Sequence, residues 1–423
     1  MVGMGGGTSP VQPCNDPCAQ GRQDDIALAN GARDLSDGYE SGAVSRGGHQ
    51  GRTCAQRAPG MKAVADRFDR YGEALPSARA ANDLNVLGDA NTNNASAPCL
   101  ERLPLDADAL NRELGIPPGS PNAITPNDLR NDTTGHRAAI YRSQTDGRLI
   151  MVSRDTQPDS LVDWKTNIEN GQGFDTDQYA STRRLATKLN ASGQNFDISG
   201  YSKGGGLAQE AGLLSPNSNV YVFNSAGLHE ASLARTGQAN FQSLQNRTRS
   251  FSAENDFLTF MNNTTDADRE VRNAQFLRTH LAGEMSGSMN PMEMKYSNPA
   301  HRILAGQRTR NRPEVAAAQH AANEVFQADR ARFLQSVDDM IAGAEETPGY
   351  DRLFPPVRSM SHDTVPGRWG VMSSVAGSTG ASGDEARFGK LVQHKMSQVL
   401  GPMEKQHEED RETLQGFLRS CGS

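Results

Sequence analysis

A single serine lies between glycines in the stretch FDISGYSKGGGLAQE, where Gly200 and Gly204 flank Ser202. A serine hydroxyl is a weak nucleophile until a base removes its proton, and a sharp strand-to-helix turn can expose it to base and substrate together. Small neighbours permit such a turn. Because 42 of the 423 residues are glycine, the pattern G-x-S-x-G is also compatible with an ordinary serine in a glycine-rich turn.

The partners of a nucleophilic serine would follow it in the order acid, then histidine. Asp256 in SFSAENDFLTF follows a predicted strand, where such an acid would lie, although an Asx turn or a helix cap is the ordinary role of an Asp in this context. Two later histidines, His320 and His407, lie in polar helical stretches and are predicted to be solvated surface residues. Sequence order alone does not choose among the four remaining candidates for a base, which are His280, His301, His362 and His394.

The segments around Ser202 alternate between strand and helix patterns. HRAAIYRS, the turn TDG and RLIMVSRDT predict a hairpin with a buried second strand, STRRLATKL has helical spacing, and NFDISGYS predicts a strand. After Ser202, GGGLAQEAGLL predicts a helix, NVYVFNSAG a strand, and TRSFSAENDFLTF another strand with its exit. This alternation predicts an α/β protein whose mostly parallel sheet is covered on both faces. Ser202 would then lie where helical amides point at the reacting oxygen.

The regions on either side of this core differ in composition. Residues 1–125 are rich in Gly, Asn, Ala, Asp and Pro and are predicted to be loosely structured, with short helices such as MKAVADRFDRYGEAL and LDADALNREL. Residues 126–423 would form the main domain. Within it, residues 265–345 are mostly helical in period and predict an insertion that could act as a lid. The C-terminal stretch predicts helix with a break at Pro402.

Composition and charge argue against several classes of function. The net charge is −7 and the chain has no Lys/Arg block, so nucleic-acid binding has little support. No apolar run approaches the roughly 18 to 20 residues that span a bilayer, and MVGMGGGTSPVQPCNDP lacks the features of a cleavable signal peptide. We therefore expect either a cytoplasmic protein or one exported through another signal. No D-x-D-x-D-G calcium loop is present, and we expect neither a metal nor another cofactor.

Five cysteines leave the redox state of the chain open. Free thiols and one or two disulfide bridges stapling the N-terminal region are both compatible with their spacing, and a zinc site has less support because none lies in a C-x-x-C pair. The sequence does not choose a pairing among Cys14, Cys18, Cys54, Cys99 and Cys421.

Taken together, these motifs resemble a known family. The run HRAAIYRSQTDGRLIMVSRDTQPDSLVDWKTNIENGQG, followed by ISGYSKGGGLA, resembles the lipase class 3 pattern of α/β-hydrolases, in which an R-G-T strand end precedes a G-H-S-L-G-G nucleophile turn. The chain is most similar to bacterial lipase-like and phospholipase effectors that contact-dependent secretion systems deliver into competitors. The similarity covers about residues 135–260 well and the C-terminal stretch loosely.

The resemblance implies the α/β-hydrolase fold and a serine esterase that acts on acyl esters of lipids, above all phospholipids, through an acyl-enzyme intermediate. It further implies an antibacterial secreted effector that meets its substrate at the membrane surface of the target-cell envelope. The partner implied is an immunity protein that blocks the site. Two other functions stay open, namely an inactive hydrolase-fold binding or toxin module and a cytosolic esterase for small soluble esters.

The resemblance also implies roles for individual residues. The family's base often lies in an H-x-M-x-x-V/I segment, which KLVQHKMSQVLGPMEK matches, so His394 is the expected base, ahead of His362 and His301. The expected oxyanion donors are the backbone N–H of Lys203 and the backbone of Thr156, with the Thr156 hydroxyl as a further candidate.

Three residues depart from the family pattern. Tyr201 replaces the usual His, Lys203 the usual Leu, and Asp155 the Gly of R-G-T. Tyr201 and Lys203 also have ordinary interpretations, as a packing residue and a surface residue. Asp155 would place a carboxylate beside the expected oxyanion hole, where it opposes the developing charge unless it turns away or pairs with Arg154.

Overall fold

A computed structural model gives the fold of most of the chain. Several of the predicted features lie outside the residues that it describes: the insertion at 265–345, apart from residue 335, together with Cys14, His280, His301, His320 and His394. The described residues are 17–44, 48–87, 97–156, 166, 175–228, 230–236, 239–253, 256, 258, 335, 362–365 and 396–422.

The centre of the molecule is a mixed sheet. Its strands are β1 (Leu100–Arg102), β2 (Arg130–Asn131), β3 (His136–Ser143), β4 (Leu149–Ser153), β5 (Phe196–Tyr201), β6 (Val220–Phe223), β7 (Thr248–Ala253) and β8 (His362–Val365). Seven of them lie in the order β1-β3-β4-β5-β6-β7-β8, and the short β2 pairs with β3. β1, β3 and β4 are antiparallel neighbours, whereas β4 to β8 run parallel. The α/β class, the hairpin and the parallel strands around Ser202 are therefore confirmed, and the finer α/β-hydrolase assignment stays a prediction.

Nine helices are described alongside the sheet. They are α1 (Pro17–Glu40), α2 (Gly48–Leu87), α3 (Ala107–Glu113), α4 (Pro126–Leu129), α5 (Asp177–Ala191), α6 (Lys203–Leu213), α7 (Glu230–Thr236), α8 (Ala239–Arg247) and α9 (Ser397–Cys421). The helices predicted before and after Ser202 are confirmed as α5 and α6.

The N-terminal helices are longer than the sequence predicts. The short pieces expected in residues 1–125 are wrong for α1 and α2, which have 24 and 40 residues. α2 continues through Pro59 and Pro76, because a face of small residues, including the buried Ala74 and Ala78, packs on the sheet. The predicted break at Pro402 is also wrong, since α9 continues through it and is packed along its length. The domain division near residue 125 stays a prediction.

Alternation along the strands divides the core between two faces of the sheet. Leu149 and Met151 of β4 belong to the cluster that α5 and α6 cover, whereas Ile150 and Val152 belong to the cluster that α2 and α9 cover. This follows from the two-residue period of a strand. All five residues of β4 are buried, which confirms the predicted buried strand.

The helices α1, α2 and α9 form a layer of their own on the second face. Their apolar contacts include Phe68 and Phe417, and a two-bonded ion pair joins Arg67 of α2 to Asp410 of α9, with N···O distances of 2.8 and 2.6 Å. Such bidentate pairs hold two elements in one register.

Two disulfides settle the state of four cysteines. Cys18 is bonded to Cys99, which ties α1 to the start of β1. Cys54 is bonded to Cys421, which ties α2 to the last residue of α9 across a sequence separation of 367. Of the two alternatives, free thiols and disulfides, the structure therefore has disulfides at these four positions. The bond to Cys421 differs from the expectation, because it joins the N-terminal region to the C-terminal helix. Among the described helices, none is long and apolar enough to cross a membrane.

Candidate active site

Ser202 lies at the turn between β5 and α6, as predicted. Its backbone angles are φ 54° and ψ −122°, a conformation that non-glycine residues rarely adopt and that needs support from its surroundings. The support is a set of backbone hydrogen bonds: the Ser202 N–H donates to the Phe223 carbonyl at 3.0 Å, and the Ser202 carbonyl accepts from Ala226 N–H at 2.9 Å. The strained turn is thus fixed by the exit of the neighbouring strand β6.

The glycines flanking Ser202 are required by close backbone contacts. A Cβ on Gly200 would lie 2.0 Å from the carbonyl oxygen of Gly204, and a Cβ on Gly204 would lie 2.3 Å from the carbonyl oxygen of Ser153. Both contacts involve main-chain atoms, which cannot rotate away. The second also shows that the end of β4 lies directly against the turn at Ser202.

The first turn of α6 packs on the exit of β6 in the same way. A Cβ on Gly205 would meet the Ser225 hydroxyl oxygen at 2.3 Å, and one on Gly206 would meet the Tyr179 hydroxyl oxygen of α5 at 2.5 Å. Gln209 fixes this arrangement, since its side-chain amide donates to Ser225 Oγ at 2.7 Å and to the Ala226 carbonyl at 2.8 Å. The run of three glycines therefore lets the helix start close to the sheet.

Asp256 follows β7 at the same edge of the sheet, as the strand pattern predicts. It is buried, and its N–H donates to the carbonyl of Ala253, the last residue of β7, at 3.1 Å. Its negative charge acts on Tyr201, the residue before Ser202. The structure therefore brings Asp256 to the neighbourhood of the turn at Ser202.

Asn224 connects the ends of β6 and β7, and the sequence analysis missed it. It has a positive φ of 42° and is fully buried. Its side-chain oxygen accepts from Ala253 N–H at 2.8 Å, and its own N–H donates to the Phe251 carbonyl at 2.9 Å. Asn tolerates this backbone region better than most residues. An Asn directly after the apolar strand VYVF was the signal available in the sequence.

Tyr201 links β5 to α9. Its ring is buried among the second-face cluster, which confirms the packing interpretation. Burial and the negative charges of Asp155 and Asp256 raise the pKa of the Tyr201 hydroxyl, whereas a hydrogen bond with the Met396 backbone opposes that rise. A bond that favours the phenolate is one in which the N–H donates to the tyrosine oxygen. The start of α9 is thus held against the residue that precedes Ser202.

The expected oxyanion donors lie on two sides of the turn. Lys203 begins α6, where helical amides have no acceptor within the helix, and its side chain is buried, so the surface interpretation of Lys203 is wrong. Thr156 follows the end of β4, and its N–H donates to the carboxylate oxygen Oδ1 of Asp155 at 2.5 Å. Asp155 is turned toward the very amide that was expected to bind an oxyanion.

The described histidines that follow Asp256 in the sequence are His362 and His407. His362 is the first residue of β8 and pairs with Ser250 in the middle of β7. His407 lies in α9 and is buried, so its predicted surface role is wrong: its ring stacks on Phe68 with centroids 4.2 Å apart. Burial lowers the pKa of His407 to about 4. His407 lies eleven positions after Met396, which corresponds to about 16 Å along the axis of α9.

His136 is a second buried histidine that the sequence analysis did not weigh. Its Nε2 lies 3.0 Å from the Asp128 carbonyl oxygen. Burial lowers the pKa of His136 to about 4, and the positive charge of Lys203 acts in the same direction. The imidazole of His136 is therefore neutral near pH 7. No group of three or more potential metal ligands occurs among the described residues.

Comparison with known proteins gives one family match. Residues 118–305 match the family model described as phospholipase-like, a Tle-like phospholipase domain, and no curated protein matches the chain. The matched range contains Thr156, Ser202 and Asp256 and ends before His362 and His394. The match confirms the resemblance to phospholipase effectors and supports the hydrolysis of lipid esters as the kind of chemistry carried out.

Proposed function

We propose that the protein is a serine hydrolase of the α/β-hydrolase fold that cleaves acyl esters of phospholipids, with Ser202 as nucleophile, Asp256 as acid and His394 as base. The observation that carries the proposal is the backbone of Ser202, which holds a rarely adopted positive φ between a parallel strand and a helix. Strain of this kind persists at functional sites, where it sets the direction of the side chain. The phospholipase-like family match supports lipid as the substrate class.

The reaction follows from these roles. His394 takes the proton of Ser202 Oγ as the oxygen attacks the acyl carbonyl carbon, and Asp256 stabilises the imidazolium. The backbone N–H groups of Lys203 and Thr156 donate to the oxyanion of the tetrahedral intermediate. The intermediate collapses as the imidazolium protonates the leaving lysolipid oxygen, which leaves an acyl-enzyme. Water activated by the same imidazole then releases the fatty acid and restores Ser202.

The sequence position of His394 and the backbone position of His362 both favour His394 as the base. His394 lies two residues before Met396, whose N–H donates to the Tyr201 hydroxyl oxygen. This nearness in sequence supports His394 as the base, because two residues of chain span at most about 7 Å. His362 instead begins β8, three residues before Val365, the partner of the last residue of β7. It therefore lies about 10 Å along the strand from the edge where Ser202 lies.

The two disulfides support a place of action outside a reducing cytoplasm. Such bonds form and persist in oxidising compartments, and here they join α1 and α2 to distant parts of the chain. This agrees with the proposal of a secreted antibacterial effector that acts on phospholipid at the membrane surface of the target-cell envelope and is neutralised by an immunity protein.

The test is covalent labelling combined with lipid analysis. A fluorophosphonate should label wild type but not Ser202→Ala, and phospholipid vesicles should yield free fatty acid and lysolipid with wild type alone. Ser192→Ala, at the far end of α5, is the matched control and should behave as wild type. Labelling with turnover of soluble short esters but not vesicles would indicate the small-ester function. No labelling and no turnover in wild type or any site variant would indicate an inactive binding module.

A further inference from the structure

We propose that Asp155 holds the site in a self-inhibited resting state, because its carboxylate occupies the backbone donor that the reaction needs. The inference rests on the proposed function, since it concerns the oxyanion donor of the same site. In this inference, Asp155 determines how readily the oxyanion hole accepts the negatively charged oxygen of the tetrahedral intermediate.

The contact between Asp155 and Thr156 is the main observation. The Thr156 N–H donates to Asp155 Oδ1 at 2.5 Å, and a carboxylate acceptor makes such a bond roughly twice as strong as a neutral one. The developing oxyanion of ester hydrolysis is likewise a negatively charged oxygen that seeks a backbone N–H. Asp155 Oδ1 therefore takes the place of the oxyanion at this donor.

The position of this segment places the contact at the nucleophile. The end of β4 lies against the turn, since the Ser153 carbonyl oxygen and the Arg154 carbonyl carbon would lie 2.3 and 3.2 Å from a Cβ on Gly204. Asp155 also acts electrostatically on Tyr201, the residue before Ser202. The carboxylate therefore lies close enough to oppose negative charge that develops on the substrate.

The backbone of Asp155 is held independently of its side chain. Its N–H donates to the side-chain oxygen of Asn85, near the end of α2, at 3.3 Å. The contact with the Thr156 N–H is made by the Asp155 side chain, so rotation of that side chain breaks this contact without breaking the backbone bond to Asn85. A bound acyl ester must displace the carboxylate before the second donor becomes available, which slows acylation of the resting protein.

The experiment compares the rate of fluorophosphonate labelling in wild type, Asp155→Asn and Asp155→Ala. One oxyanion donor is worth about 10²–10³ in rate, and we expect Asp155→Ala to raise the labelling rate constant by about ten-fold or more. Asp155→Asn should give a smaller rise, because the amide oxygen still accepts from Thr156 but carries no charge. Asp146→Ala removes an exposed carboxylate at the opposite end of β4 and should leave the rate unchanged.

The outcomes separate this inference from the proposed function. Labelling of wild type and Asp155→Ala at equal rates, or slower labelling of a folded Asp155→Ala, overturns the inference alone. Labelling of Asp155→Ala but not of wild type supports it most strongly. Absence of labelling in every variant overturns both proposals.

A second measurement needs no variant at Asp155. In a crystal structure of wild type carrying a phosphonate on Ser202, the Thr156 N–H should donate to the phosphoryl oxygen, with the carboxylate turned away. A carboxylate still bonded to Thr156 N–H in that adduct would overturn the inference.

Discussion

Replacement of Asn224 by alanine should weaken both the fold and the candidate site, through two effects that can be separated. The first is the loss of the acceptor for the buried Ala253 N–H, a hydrogen bond of 2.8 Å. An unsatisfied buried donor costs about 1–3 kcal/mol. The second effect is backbone strain. The φ angle is 42° at this position, and an alanine in the left-handed region costs about 1–2 kcal/mol.

The sum predicts that Asn224→Ala lowers the free energy of unfolding by about 2–5 kcal/mol. Asn224→Gly removes the same acceptor but adopts a positive φ without strain, so it should be less destabilising than alanine by about 1 kcal/mol. The measurement is urea unfolding of the three proteins. Asn195→Ala, an exposed asparagine just before β5, is the control and should unfold with wild type.

The same variants test whether Asn224 positions the acid. Asn224 fixes the end of β7, and Asp256 is hydrogen-bonded to that end. Under conditions where each variant is fully folded, fluorophosphonate labelling of Ser202 should be slower in Asn224→Gly than in wild type. Unfolding and labelling of Asn224→Gly at wild-type values would refute the reasoning on both counts.

Three further predictions concern the turn, the buried histidines and the long bridge. Gly204→Ala places a Cβ 2.3 Å from a backbone oxygen. The resulting shift of about 1 Å in the turn should slow fluorophosphonate labelling of Ser202 about 100-fold. Gly401→Ala is the control and should label at the wild-type rate, because its Cβ would meet nothing within 4 Å. Burial lowers the pKa of His136 and His407 to about 4, whereas the same imidazoles in the unfolded chain have a pKa of about 6.5. Their stabilising contribution should therefore be complete above about pH 6.5 and should fall toward pH 4 by up to about 3 kcal/mol for each ring. Urea midpoints measured across this range should change less with pH in His407→Gln than in wild type, and an equal change in both proteins would show that the pKa of His407 is not lowered. Cys54→Ser opens the bridge to α9 and should lower the free energy of unfolding by about 2–5 kcal/mol, and an unchanged guanidinium midpoint would contradict this.

The sequence predicted the parts of the fold in which the spacing of apolar residues within each segment indicates its secondary structure. A short turn joins β3 to β4, and β5 leads directly into α6. Each of these elements carries the two-residue or helical period of its own structure. The turn at Ser202 was predictable for the same reason, since it lies where one period changes to the other. Asp256 followed from its place after a strand.

The features that the sequence did not predict depend on contacts between distant segments. α2 contains Pro59 and Pro76, which locally indicate breaks, and only packing on the sheet and on α9 explains its continuity. The burial of His407 depends on Phe68, more than 300 residues earlier in the chain. The contact between Asp155 and Thr156 depends on a side-chain rotamer, for which residue types give no signal.

The bond between Cys54 and Cys421 closes a covalent ring that contains every described strand of the sheet, from Leu100 to Val365. A protease that cuts the chain once inside this ring opens it but releases no fragment, because the two pieces stay joined through the sulfur atoms. Release would take a second cut within the ring or reduction of the bond. A nicked molecule could therefore keep its strands paired, which gives the protein tolerance to proteolysis wherever the bond stays oxidised.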